Sequence, residues 1–172
     1  MVTLVAAITI SSVAAVSDIR FRAIPNWLTY PAMLLGVGYH TMVNGAEGFF
    51  FGAGGLFLGL GLLIVSYLAG GTGAGDVKLM GAVGALLGPN GVFVAFIFTA
   101  VIGGFYALAL LLLRLGLQGT FIRLRIMFTS LLSGIGLNGL STDKMRETPV
   151  LRYGVAIALG VFISIVWNLY TN

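Results

Sequence analysis

Residues 48–78 read GFFFGAGGLFLGLGLLIVSYLAGGTGAGDVK. From Gly48 to Ala69 there is no charged side chain, and the run matches the length of about 20 apolar residues that an α-helix needs to cross a bilayer. It ends in a cluster of glycines, Gly70, Gly71, Gly73 and Gly75, followed at once by Asp76 and then Lys78. An ionised carboxylate at the edge of hydrocarbon is costly, so an acid retained there calls for a function.

The rest of the chain repeats the apolar theme. Of its 172 residues 59% are hydrophobic and 8% charged, with a mean hydropathy of +1.07. A soluble domain carries about a quarter charged residues, so the composition implies an integral membrane protein whose first partner is the lipid bilayer. Nine Lys and Arg stand against five Asp and Glu. These charges are sparse and do not interleave with aromatics as a basic patch would, which argues for topology signals and against nucleic-acid binding. The chain has no cysteine and one histidine, His40, so a disulfide framework, a thiol nucleophile and a Cys-rich or multi-His metal site are all excluded. The apolar run from Val2 to Val16 lacks a preceding basic segment and a following small-residue cleavage site. It is expected to be a retained helix and not a removed signal peptide.

Hydropathy predicts an all-α, polytopic fold with six transmembrane helices, roughly 1–17, 27–43, 48–69, 76–88, 91–113 and 149–170. The fourth is short, and Gly88-Pro89-Asn90-Gly91 closes it with strong turn chemistry. Arg20 and Arg22 fall between helices one and two, Lys78 at the start of helix four, and the remaining six basic residues in or beside the connection between five and six. The other two connections hold no Lys or Arg. By the positive-inside rule the basic connections are cytoplasmic and both termini extracytoplasmic, in an inner (cytoplasmic) membrane protein. The connection from Leu115 to Thr148 splits into TFIRLRIMFTSLLSGIG, which reads as an interfacial helix on the cytoplasmic surface, and the polar, loop-like NGLSTDKMRET. No repeat is visible, and residues 1–172 are expected to form one domain. Gly48 with Gly52, Gly55 with Gly59, and Gly84 with Gly88 are each four apart, the spacing that lets helix backbones approach closely in lipid.

Five acids remain to carry chemistry. Glu47, Asp143 and Glu147 lie in polar connections and read as solvated charges. The predicted topology puts Asp18 at the cytoplasmic end of helix one and Asp76 at the cytoplasmic start of helix four, at similar depth. Two facing carboxyls can share one proton and so provide an acid and a base in one site, enough to activate water against a peptide carbonyl and protonate the leaving amine without a metal or cofactor. Taken singly, each has a plainer reading. Asp18 could pair with Arg20 or Arg22, and Asp76 could be a helix N-terminal acid favoured by the macrodipole. Gly73 and Gly75 add backbone freedom beside Asp76 and leave room for an extended peptide.

Three blocks in order carry a resemblance. They are DIRFRAIPNWLT (18–29), GTGAGDVKLMGAVGALLG (71–88) and YGVAIALG (153–160). Together with the six-helix layout they resemble the type IV prepilin peptidases, membrane aspartic proteases of the GxGD class. The resemblance implies that Asp18 and Asp76 are catalytic, that Pro25 and Asn26 form a turn into helix two, and that Gly73 and Gly75 are the motif glycines. Lys78 matches a basic position after the catalytic acid, although an ideal helix points it about 200° from Asp76. The family cleaves the short basic leader of prepilin-like membrane proteins on the cytoplasmic side. Larger members insert a segment between the first two helices, often with paired cysteines, and also methylate the new N-terminus. Here that connection is about ten residues and the chain has no cysteine, so it resembles the short members associated with Flp-type or similar pili or the archaeal preflagellin peptidases, with IPNWLT and YGVAIALG more like the short bacterial type; the resemblance does not decide methyl transfer.

Two other classes fit an apolar chain with two acids. A small ion- or proton-coupled transporter would use Asp18 and Asp76 to bind a cation, but such folds show inverted repeats and broken helices at midplane, neither of which is visible. A structural membrane subunit would tolerate loss of both acids.

Overall fold

The computed structural model describes residues 1–68, 71–132 and 153–171, and within them every element is helical. Four helices follow in order: α1 (Val2–Phe21), α2 (Asn26–Leu68), α3 (Ala74–Leu132) and α4 (Tyr153–Thr171). All four contain stretches long and apolar enough to cross a membrane. In hydrocarbon the backbone must satisfy its own N–H and C=O groups, which an uninterrupted helix does.

The chain divides into two compact units, Met1–Gly103 with Arg152–Asn172, and Gly104–Leu151. In the second unit the helical backbone runs to Leu132, with Gly116 at φ +67° and the Thr120 hydroxyl donating to the Gly116 carbonyl at 2.8 Å. The helical half of the expected interfacial segment is thus helical as far as Leu132, while the polar stretch 138–148 lies outside the described residues.

The six expected helices fall on four elements. The segments 27–43 and 48–68 are the two helical limbs of α2, which meet at Gly45, and 76–88 and 91–113 both lie in α3. The reason lies in single glycines. A straight helix of 43 residues would be about 65 Å long, twice the hydrocarbon thickness. Gly45 breaks it, at φ 59° and ψ −134°, a conformation closed to other residues. Beyond it the chain folds back, since Gly48 lies against the His40 carbonyl and Gly52 against the Val37 backbone. In α3, Gly88 adopts φ +74° and the next residue, Pro89, has no N–H to donate. Each turn thus takes one residue out of the helical conformation where the sequence suggested several.

Packing inside the first unit depends on small residues because lipid tails are as apolar as leucine and supply no hydrophobic drive between helices. The second limb of α2 and the start of α3 meet backbone to backbone. A methyl group at Gly55 would collide with the Gly84 carbonyl, one at Gly84 with the Gly55 carbonyl, and one at Gly59 with the Met80 carbonyl. These contacts surround fully buried Leu79, Met80 and Val83. Hydroxyls within the apolar helices bond to the preceding turn, as Thr99 does to the Ala95 carbonyl at 2.7 Å. Others cross between helices: the Ser164 hydroxyl donates to the Gly91 carbonyl at 3.1 Å, tying α4 to α3. His40 is also structural in its contacts, its Nε2 lying 3.0 Å from the Leu86 carbonyl, where the ring nitrogen acts as donor.

Replacing Gly55 by alanine therefore forces two backbones apart and should cost about 1–3 kcal/mol, the range for overpacking a close contact. Thermal unfolding in detergent would register it as a lowered midpoint. Gly54→Ala is the control, because a methyl there would sit at an ordinary 3.6 Å from the Pro89 ring.

Candidate functional site

Asp18 occupies the last turn of α1 and is half-buried. Its carbonyl accepts the Arg22 amide at 3.0 Å, closing the helix with Arg22 in the left-handed conformation at φ 53°. A carboxylate near a helix C-terminus faces the negative end of the dipole, so it requires outside support. That support comes from α4, whose Gly154 amide donates to Asp18 Oδ2 at 3.0 Å. The first amides of a helix have no intrahelical acceptor, and this one is satisfied by the acid. Gly154 is buried, and a methyl there would lie 2.9 Å from Asp18 Cβ, so the approach requires glycine. The alternative of an ion pair to Arg20 or Arg22 is not the arrangement found; Arg20 is exposed, with its guanidinium 5.9 Å from the Phe21 ring centre.

Asp76 lies in the first turn of α3 with 9% of its surface exposed. Its Oδ2 accepts the Gly73 amide at 3.0 Å, while its own amide donates to the Gly73 carbonyl at 3.1 Å. The side-chain bond is the half of a capping box that a third-position acid supplies; Gly73, having no side chain, answers it only with its backbone carbonyl. Gly73 is therefore the residue that fixes the acid in place, a role more specific than the backbone freedom read from sequence. Gly75 serves closeness: its Cα faces Ile24, where a methyl would come within 3.1 Å of the Ile24 Cβ.

The Ile24-Pro25-Asn26 block reaches the same place. The Pro25 carbonyl accepts the Leu28 amide at 3.1 Å as α2 begins. Lys78 Nζ donates to Asn26 Oδ1 at 2.9 Å and sits 5.0 Å from the centre of the Tyr30 ring. So Lys78 does point away from Asp76, as the helical wheel indicated, and its partner is the asparagine of the other block. The start of α3 is thus clamped to the start of α2 on two faces, Gly75 on Ile24 and Lys78 on Asn26.

Asp18 and Asp76, 58 residues apart in sequence, are brought to one region of the fold, because Ile24, six residues after Asp18, lies against Gly75, the residue before Asp76. Tyr153, the first residue of α4, immediately precedes the Gly154 whose amide binds Asp18, and its ring lies against Gly103. Sequence reasoning placed Tyr153 and Gly154 in a matching block without assigning them a task, because no periodicity or spacing connects residue 154 with residue 18. Thr72 was also passed over; its hydroxyl is buried and unpartnered among the described residues. Two carboxyls that face one another, each accepting one amide, are able to share a proton and move it to and from a substrate.

Comparison with known proteins bears on these residues. Positions 5–108, which include both aspartates, match the type IV leader peptidase family. The prepilin leader peptidase/N-methyltransferase of Bacillus subtilis (strain 168) is 33% identical over 110 residues, an alignment covering 58% of this chain and 41% of that relative. The chain therefore spans well under half the length of the curated relative it matches. No solved structure matches it. With the match covering most of the chain, including Asp18, the Asn26 block and the glycine motif before Asp76, this protein belongs to the type IV leader peptidase family.

Proposed function

We propose that the chain, acting as one membrane peptidase domain over residues 1–172, is an aspartic endopeptidase that removes the basic leader from prepilin-like membrane proteins. What supports this is that Asp18 and Asp76 are each held by a main-chain amide, and that Ile24, six residues after Asp18, lies against Gly75 beside Asp76. Family membership and the leader-peptidase relative support the substrate class. In the reaction one carboxyl of the pair carries a proton and the other does not. The ionised one takes a proton from water as its oxygen bonds to the scissile carbonyl carbon; the protonated one delivers its proton to the leaving nitrogen as the C–N bond breaks. The pair titrates as a unit, so neither aspartate is assigned one role. The proposal concerns peptide cleavage and does not extend to methyl transfer.

The site is read as lying at the cytoplasmic edge of the cell's inner membrane. Folding back of α2 at Gly45 and the break at Gly88 support six crossings, 27–43 and 48–69 within α2, 76–88 and 91–113 within α3, together with α1 and α4. The distribution of Lys and Arg then favours a cytoplasmic site and extracytoplasmic termini. A prepilin would lay its apolar helix against the enzyme and bring an unwound leader junction to the acids, past the small residues at 73–75.

Asp18→Asn and Asp76→Asn should each lower cleavage of a leader-bearing substrate by at least about a hundredfold while the protein still accumulates in the membrane, since positioned acid–base groups contribute on that order or more. Immunoblotting of precursor and mature substrate would check this, and full cleavage by either variant would end the two-aspartate mechanism. Lys78→Met and Asn26→Ala should each reduce the rate modestly, and together by no more than the larger single effect, because they break the same hydrogen bond.

A further inference from the structure

Between the end of α1 and the start of α2 the chain makes a short turn, residues 22–25, where it leaves the bilayer and enters it again. The 20 residues of α1 rise about 30 Å, the thickness of the hydrocarbon core, which puts Arg20 and Arg22 at the level of the lipid headgroups. Both arginines are exposed. Their neighbours suit the same boundary: Phe21 is 71% exposed and Trp27 70%, and amphipathic aromatic rings such as that of tryptophan favour the membrane–water interface. The Arg20 guanidinium lies over the Phe21 ring, 5.9 Å from its centre.

The backbone at Arg22 adds an independent sign. Its φ of 53° and ψ of 32° are left-handed, a conformation that a Cβ disfavours and that helix ends ordinarily give to glycine. Among the described residues it is the one non-glycine with a positive φ. Its amide closes α1 on the Asp18 carbonyl, a task that glycine would perform with less strain. Nor is the side chain needed to shape the turn, which the Ser17 hydroxyl fixes by donating to the Ala23 carbonyl at 2.8 Å. Asp18, the nearest acid in the chain, is held by the Gly154 amide and not by either guanidinium. An arginine kept in a glycine conformation, charged, exposed and at headgroup level, calls for an anion from outside the chain.

We propose that the guanidinium groups of Arg20 and Arg22 bind the phosphate of an anionic phospholipid headgroup at this turn. A guanidinium presents a planar fork of N–H donors that matches two phosphate oxygens. Two cations at neighbouring positions favour a headgroup with net negative charge over a zwitterionic one, whose own ammonium they repel. Phe21 and Trp27 cover the glycerol and upper acyl region of the same lipid. The site also bears on the fold, because the turn continues into Ile24, which lies against Gly75. A headgroup held by the arginines restrains the segment that joins the end of α1 to the start of α3.

The test reads lipid contact at Trp27 and needs no peptide substrate. The full-length protein with Trp167→Phe, which leaves Trp27 as its tryptophan, is placed in phosphatidylcholine vesicles that carry either brominated phosphatidylglycerol or brominated phosphatidylcholine, since bromine quenches tryptophan on contact. Quenching should show phosphatidylglycerol preferred by at least about fivefold, the factor that one arginine contributes at a charged membrane surface. Arg22→Gly should lower the preference several-fold, and Arg20→Gln with Arg22→Gly should bring it close to one. Glycine adopts the left-handed conformation freely, so Arg22→Gly should keep or raise the thermal midpoint, which separates loss of the side chain from loss of the turn. Equal quenching by the two lipids in the parent protein, or an undiminished preference in the double variant, overturns the proposal. Inorganic phosphate, compared with sodium chloride at equal ionic strength, should leave the preference as it is; its abolition by phosphate alone would assign the arginines to free phosphate and overturn the lipid site. If Trp167→Phe fails to accumulate, the same comparison is made with both tryptophans present, and the difference between the parent and the double variant decides it.

Discussion

A carboxylate with nine-tenths of its surface removed from solvent cannot stand without a donor, and among the described residues the Gly73 amide is the one that Asp76 has. Much of the first unit is arranged to keep that contact possible. Gly73 must precede the helix while Asp76 sits in its first turn, so α3 has to begin where it does. Gly75 must have no side chain, so that the turn can press on Ile24. Lys78, one turn on, then reaches Asn26 and fixes the angle at which α3 leaves. The acid is thus held by the helix start, and the helix start by the neighbouring helix.

The same economy governs the packing below the site. Glycines at 55, 59 and 84 bring α2 and α3 into main-chain contact, which lets van der Waals attraction act at close range along these turns where hydrophobic drive is absent. Gly45 and Gly88 have the different task of leaving the helical conformation altogether. One residue type thereby provides both adhesion along the helices and the breaks that let long apolar runs form separate limbs.

Much of this was legible in the sequence. Helical character, membrane residence, the pairing of glycines four apart and the singular position of Asp76 all follow from composition and spacing, because those patterns reflect local physics. How the limbs of α2 are joined was not legible, since a one-residue break at Gly45 looks in sequence like a short loop from Asn44 to Glu47. The partners of the acids were hidden for another reason. Gly154 and Gly73 act through backbone amides, which every residue but proline has, so no side-chain pattern marks them. Lys78 showed its direction from helical geometry, yet its partner Asn26 lies 52 residues away and only tertiary structure brings them together. The polar stretch at 138–148 lies outside the described residues.

The two amide contacts also give the pair a regiochemistry. Each takes the Oδ2 atom of its carboxyl, at 3.0 Å in both cases. An oxygen already accepting an N–H is the poorer place for a proton, so the exchangeable proton of the proposed pair belongs on one Oδ1, and a water held between the acids must address the Oδ1 edges. The backbone thereby decides which face of the carboxyl pair is reactive. In the proposed pair, main-chain atoms would thus influence where the proton resides before any substrate side chain has been read.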